Sequence, residues 1–242
     1  MDLRFKNHRH PDRNNPLMVK PNERSRNHPS SLGFQITMKS IGSLPNPVIN
    51  PVLVITCGLP GTGKSYLSHR LSELVPLAIV ESDGIRKSLF HSPTYSPSES
   101  RYLFDQIRKV LKELLTHGIS VFLDATNLRE VDRRKLYAIT NTQNSRLILL
   151  HLKAPANLVR DRLKKRSLDL DRKDHSDANW NVYLQMRGQM DPIRRRHYTI
   201  DTSNDITNVV ARIADEIQKS SHATWSEVIN THLKEFTDGG FR

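Results

Sequence analysis

The chain holds a single cysteine, Cys57, so no intrachain disulfide can form and a disulfide-stapled secreted framework is excluded. It has no apolar run near the roughly 18 residues that would span a bilayer, and its first residues lack the apolar stretch of a secretory signal. Aromatics are 6% of its 242 residues, and they form no cluster that would stack unpaired bases. No internal repeat is visible. These absences lead to the expectation of a cytoplasmic protein with one good-sized domain, appendages and no membrane partner. What the chain has in excess is positive charge, +12 net, which attracts phosphate-rich ligands, nucleic acid among them.

The texture changes along the chain. Residues 1–50 are rich in Pro, Asn, His and basic side chains and poor in aliphatics, so they are expected to be a disordered basic segment. A nucleic-acid-binding arm, a targeting segment and an extension upstream of a start at Met38 all remain open for it. Residues 51–219 alternate apolar strands with helical stretches. Strands are expected at 52–57, 77–80, 119–123, 146–152 and 198–200, and helices from Ser65 to about Leu74, from Ser98 to Gly118, from Leu158 to Arg166 and from Ile206 to Ile217. Ser98 is read as the cap of the long second helix. Strands separated by helices imply an α/β fold with a mainly parallel five-stranded sheet covered on both faces. Residues 220–242 are expected to add a C-terminal helical extension, with Trp225, Val228, Ile229, Leu233 and Phe236 on its apolar side.

One motif carries the chemistry. Gly58-Leu59-Pro60-Gly61-Thr62-Gly63-Lys64-Ser65 fits G-x-x-x-x-G-K-[ST] between a buried strand and a helix, the context this motif requires. Its glycines let successive amides turn inward toward phosphate oxygens, and the helix N-terminus adds positive charge. These eight residues and the adjoining Tyr66 are the candidate ATP-binding set. Lys64 is expected to reach the β- and γ-phosphates, and the Ser65 hydroxyl to ligate Mg²⁺. A strand ending in Asp124 is followed by Ala125, where hydrolytic ATPases place a Glu that prepares water. That missing Glu tilts the reading toward transfer to an acceptor other than water.

The second strand runs into Ser82-Asp83-Gly84-Ile85-Arg86, which places a carboxylate at the crevice where α/β sheets bind ligands. Asp83 can accept a hydroxyl proton as the oxygen attacks the γ-phosphate. Arg86, a helical turn later, is read as a grip on the acceptor. Arg162 and Arg166 share a helix face and can neutralise charge on the transferring group, with Leu158 and Leu163 holding that helix down. Lys64, Asp83, Arg86, Asp124, Arg162 and Arg166 are the candidate catalytic residues. Arg194-Arg195-Arg196 favours a polyanionic acceptor.

In this order, the P-loop, Ser82-Asp83-x-x-Arg86, Asp124-Ala125-Thr126-Asn127-Leu128 and Arg162-x-x-x-Arg166 resemble the kinase domain of polynucleotide 5′-kinases. They are equally similar to bacterial P-loop kinases described as AAA-type ATP-binding proteins, together with Asp174-His175-Ser176-Asp177-Ala178-Asn179-Trp180 and Ile200-Asp201-Thr202-Ser203. The resemblance covers roughly Val52 to Ile217. It implies an adenylate-kinase-like P-loop NTPase three-layer sandwich using ATP and Mg²⁺. Asp83 would be the general base, Arg86 an acceptor contact, and Arg162 or Arg166 the lid arginine. The acceptor would be a hydroxyl on a small molecule or a nucleic-acid 5′ end. The alternative is a non-catalytic ATP-binding module that engages RNA or a protein. A phosphatase half is not evident, since the one Asp-x-Asp spacing, Asp169-Leu-Asp171, falls in the expected lid.

Overall fold

The computed structural model describes residues 31–168 and 176–221. The expected C-terminal helix, Asp169-Leu-Asp171 and Asp174-His175 lie outside these residues. At the centre is β1 (Val52–Cys57), six residues with every side chain buried. Alternate side chains of a strand point to opposite faces, and β1 serves two cores in this way. Leu53, Ile55 and Cys57 enter one cluster; Val52 and Val54 enter the other. Burial pushes the Cys57 thiol up to about 12, leaving it an inert apolar filler.

The other strands are β2 (Ala78–Glu81), β3 (Val121–Asp124), β4 (Arg146–Lys153) and β5 (Tyr198–Asp201). Their order is β2-β3-β1-β4-β5, and every pairing is parallel. Parallel pairing requires crossover helices. Here α2 (Lys64–Ser72) and α8 (Thr207–Ser221) cover one face, while α3 (Ser82–Leu89), α4 (Pro97–Thr116) and α5 (Glu130–Thr142) cover the other. The expected three-layer α/β sandwich with a five-stranded parallel sheet is the observed fold. All carboxyl ends of the strands lie on one edge, and the site is built there.

Three expectations change. The first 50 residues are not unstructured throughout: α1 (Leu32–Lys39) is capped by Ser31, whose hydroxyl accepts from the Phe34 N–H at 3.4 Å. Few as its apolar residues are, Phe34, Met38 and Ile41 fall on one side of the chain and pack against the core beside α4. The long helix α4 is capped by Ser96, two residues before the expected Ser98, because Pro97 supplies a pre-set first helical residue. Val159, fully buried, holds down α6 (Ala156–Leu168) with Leu163, in place of the half-buried Leu158. Two helices had no clear apolar stripe and were not anticipated, α5 and α7 (Trp180–Arg187).

Candidate active site

The phosphate cradle leaves β1 at Gly58 and enters α2 at Lys64. A Cβ on Gly58 would stand 2.7 Å from the Leu152 carbonyl oxygen and 2.8 Å from Thr62 Oγ1, so only glycine lets the loop pass. At Gly61 the backbone is left-handed, φ +76°, and a Cβ would press on Val159 and Leu163 of α6 at 3.0 and 3.1 Å. The Gly58 N–H donates to the Thr126 carbonyl at 3.1 Å, and Asn127 Nδ2 donates to the Thr56 carbonyl at 2.8 Å, tying the loop to the exit of β3. Lys64 Nζ donates to the Leu59 carbonyl at 3.0 Å, curled across the loop it serves. The donor set fits a nucleotide triphosphate: curled amides, a lysine at the loop and the open N-terminus of α2 with Ser65. Among the described residues no group of three or more His, Cys, Asp or Glu side chains is placed to hold a metal ion.

Next to the cradle is a cavity of about 700 Å³. Every expected catalytic residue lines it: Lys64, Asp83, Arg86, Asp124, Arg162 and Arg166, together with Ser65 and Tyr66. Asp83 sits in the first turn of α3, half-buried at the cavity wall. Asp124 is 5% exposed at the end of β3, in register with Glu81 of β2. Tyr66 is more than half exposed at the rim.

The arginines are more committed than the sequence suggests. Arg162 donates to Thr202 Oγ1 at 2.9 Å, to the Thr202 carbonyl at 2.7 Å and toward the Gly61 carbonyl at 3.4 Å. It thereby joins α6, the cradle and the end of β5. Arg166 donates to the Ala178 carbonyl, pinning the segment before α7. Arg86 is buried and forms an ion pair with Glu99, while its guanidinium lies 4.7 Å from the Tyr95 ring centroid. Glu99 also accepts from the Thr94 N–H at 2.6 Å, the Thr94 hydroxyl at 2.8 Å and the Tyr95 N–H at 3.2 Å. Burial alone would raise the Glu99 carboxyl, but the bonds from Thr94 and Arg86 outweigh it and bring it down to about 2.

No individual role was assigned from sequence to Glu99, Tyr95, Thr202 or Arg133, although Thr202 lies in the Ile200-Asp201-Thr202-Ser203 motif. A Ser-x-x-Glu capping box at Ser96 and Glu99 was readable, though the buried Glu99 carboxylate accepts from the Thr94 and Tyr95 amides in place of the Ser96 N–H. Arg133 stands in an Arg-Arg-Lys run that reads as a solvated helix face, yet it is fully buried. It donates to the carbonyls of Asn127, Leu128, Asp191 and Pro192 and pairs with Glu130. That hub locks the loop after Asp124 to the chain leaving α7.

The fold and the glycine-rich loop together are those of a P-loop nucleotide-binding protein. Residues 53–193 match the AAA domain family AAA_33, and the chain belongs to that family. It is 31% identical over 137 residues to the L-seryl-tRNA(Sec) kinase of Methanococcus maripaludis, a match that covers 54% of this chain. The chain spans about half the length of that curated relative, 51% of it. Among solved structures, a Chloroflexus aurantiacus protein superposes with a TM-score of 0.56 at 21% identity, over 71% of this chain and 98% of its own. A sugar kinase from Janibacter sp. HTCC2649 superposes with a TM-score of 0.52 at 14% identity, over 69% of this chain and 95% of its own. At such identities the two structures support the fold alone. Among the described residues no helix is long and apolar enough to cross a membrane.

Proposed function

We propose that the protein is an ATP-dependent phosphotransferase that moves the γ-phosphate to a hydroxyl acceptor. The observation that carries this is the convergence of Lys64, Ser65, Asp83 and Asp124 on one cavity at the carboxyl edge of the sheet. ATP lies with its phosphates along Gly58 to Ser65, and Lys64 turns from the Leu59 carbonyl to the β- and γ-phosphates. Ser65 is the residue placed to ligate Mg²⁺, which when bound would neutralise charge on the phosphate oxygens. Asp83 takes the proton from the acceptor hydroxyl as its oxygen bonds to the γ-phosphorus and the bridging bond to ADP breaks. Arg162 and Arg166 border the path of the transferring group and favour its spread charge. Asp124 is an active-site carboxylate, placed either to orient a ligand or to assist the metal.

The acceptor wall supports a reacting group without negative charge. Arg86 is committed to Glu99 and Arg166 to the Ala178 carbonyl, while Asp83 and Asp177 face the same cavity as Phe104 and Met186. The exposed Arg194, Arg195 and Arg196 are not among the lining residues, so any nucleic-acid portion of an acceptor would meet them outside the cavity. The acceptor in the relative's name, L-seryl-tRNA(Sec), combines such a hydroxyl with nucleic acid.

The test is transfer of radiolabelled γ-phosphate from ATP to a panel of seryl-tRNA, 5′-hydroxyl oligonucleotides, nucleosides and sugars. Labelling of one class is the expected result; labelling of none favours a non-catalytic ATP-binding module. On the labelled acceptor, Asp83→Asn should lower kcat by about 10²–10⁴-fold with ATP affinity intact. Unchanged turnover in that variant would remove Asp83 as the base.

A further inference from the structure

Opposite the phosphate cradle, the chain on both sides of the cavity meets at one carboxylate. Asp177 lies in the short segment before α7, and Lys87 of α3 grips it from across the cavity at 2.9 Å. The Tyr95 hydroxyl donates to its other oxygen at 3.2 Å. Burial first, and then the neighbouring carboxylates Asp177 and Asp83, push the Tyr95 phenol up to about 12, so it stays a proton donor.

Tyr95 is held for this contact at some cost. Its backbone is left-handed, φ +56°, a conformation that a bulky side chain rarely adopts and that surrounding structure must enforce. The enforcement is visible: Glu99 holds the Thr94 and Tyr95 amides, and the Arg86 guanidinium is stacked against the ring. A buried ion pair and a strained aromatic at the cavity wall thus form one assembly whose phenol oxygen touches Asp177. The segment it touches is fixed from the other side by Arg166, through the Ala178 carbonyl. Two residues on, Trp180 stacks on Tyr183 with ring centroids 4.8 Å apart, and the Arg160 guanidinium lies 5.8 Å from the Trp180 ring centroid.

We propose that Tyr95 and Asp177 are acceptor-positioning residues: Asp177, held by Lys87 and the Tyr95 phenol, clasps the 176–179 segment over the acceptor side of the cavity, and the Tyr95 ring is the wall that the acceptor rests against. The acceptor role rests on the phosphotransferase reading; the clasp itself does not. Arg86, expected to grip the acceptor, acts in this arrangement through the ring it supports.

The test separates clasp from wall and from chemistry. Trp180 and Trp225 are the only tryptophans, so Trp225→Phe leaves Trp180 as a reporter beside the clasp. In that background, and without any ligand, Asp177→Asn and Tyr95→Phe should make Trp180 more accessible to acrylamide quenching. Lys87→Met, which removes one partly exposed partner, should do so less. The double swap Lys87→Asp with Asp177→Lys should return quenching toward the parent. With the acceptor found by the labelling panel, Asp177→Asn should raise acceptor KM by about tenfold, as for loss of one charge-assisted hydrogen bond, with ATP KM within about twofold. Tyr95→Ala should raise acceptor KM more than Tyr95→Phe, because it loses the ring as well. Equal quenching of parent and Asp177→Asn, at equal melting temperature, would overturn the clasp. Raised quenching with an unchanged acceptor KM would overturn the acceptor role. If no acceptor is ever phosphorylated, the phosphotransferase reading fails while the quenching result still decides the clasp.

Discussion

The two sides of the cavity are made by different means. The proposed phosphate side is a single run of eight residues that leaves β1 and enters α2 at Lys64, and it offers backbone amides, one lysine and one hydroxyl. The side we propose for the acceptor is assembled from α3, the turn before α4 and the segment before α7. Its central contact, Lys87 with Asp177, joins residues 90 positions apart. A cradle built from backbone depends on local conformation, so glycine placement alone specifies it. A wall built from side chains depends on every element that carries one. The phosphate side should therefore fail through chemistry when altered, and the acceptor side through folding.

The largest expected effect lies on the phosphate side. Lys64→Met removes the cation aimed at the phosphates and should lower kcat/KM by about 10²–10³-fold. Its midpoint in urea should stay near that of the parent, since the Lys64 bond to the Leu59 carbonyl is half-exposed. A lost midpoint together with lost activity would mean that the lysine is structural.

On the acceptor side the order reverses. Glu99→Ala leaves the Arg86 guanidinium buried without its carboxylate and frees the Thr94 and Tyr95 amides. Breaking one partner of a buried pair costs about 3–5 kcal/mol, to be read from urea unfolding. ATP affinity of the fraction still folded should be close to that of the parent. A loss below about 1 kcal/mol would show that the pair is not the keystone of this wall.

The smallest and most specific effect is on pH. The Glu99 carboxyl is held at about 2 in the folded chain against an ordinary 4.5, so its folded value is depressed. Stability from this group is present in full above about pH 4.5 and is lost as the pH falls toward about 2. The stability difference between parent and Glu99→Gln, from urea unfolding at stepped pH, should therefore be constant near neutrality and shrink below about 4.5. A difference that is constant down to about pH 3 would place the depression elsewhere.

The strands, the cradle and the apolar stripe of α4 were legible because each follows from a local period or motif. The position of Asp83 and Asp124 on the cavity was legible for a related reason: the carboxyl end of a parallel strand and the first turn after it border the crevice. α5 and α7 were not, since neither carries a clear apolar stripe and their polar residues read as connecting chain. Arg133 shows the limit best. In sequence it is one of three basic residues in a row, and only the carbonyls of Asn127, Leu128, Asp191 and Pro192, brought from two distant stretches, explain its burial.

By itself, the sequence determined a P-loop motif on a parallel α/β sheet with a carboxylate beside it. Backbone curvature and strand direction follow from short-range patterns of glycine and apolar residues. Only the tertiary structure decided how the cations are used. Arg86 is neutralised by Glu99, Arg162 braces the cradle against Thr202, and Tyr95 bonds Asp177 on the wall we propose for the acceptor. The reason is physical: a charge's role depends on its nearest partner and its burial, and both are set by segments far apart in the chain.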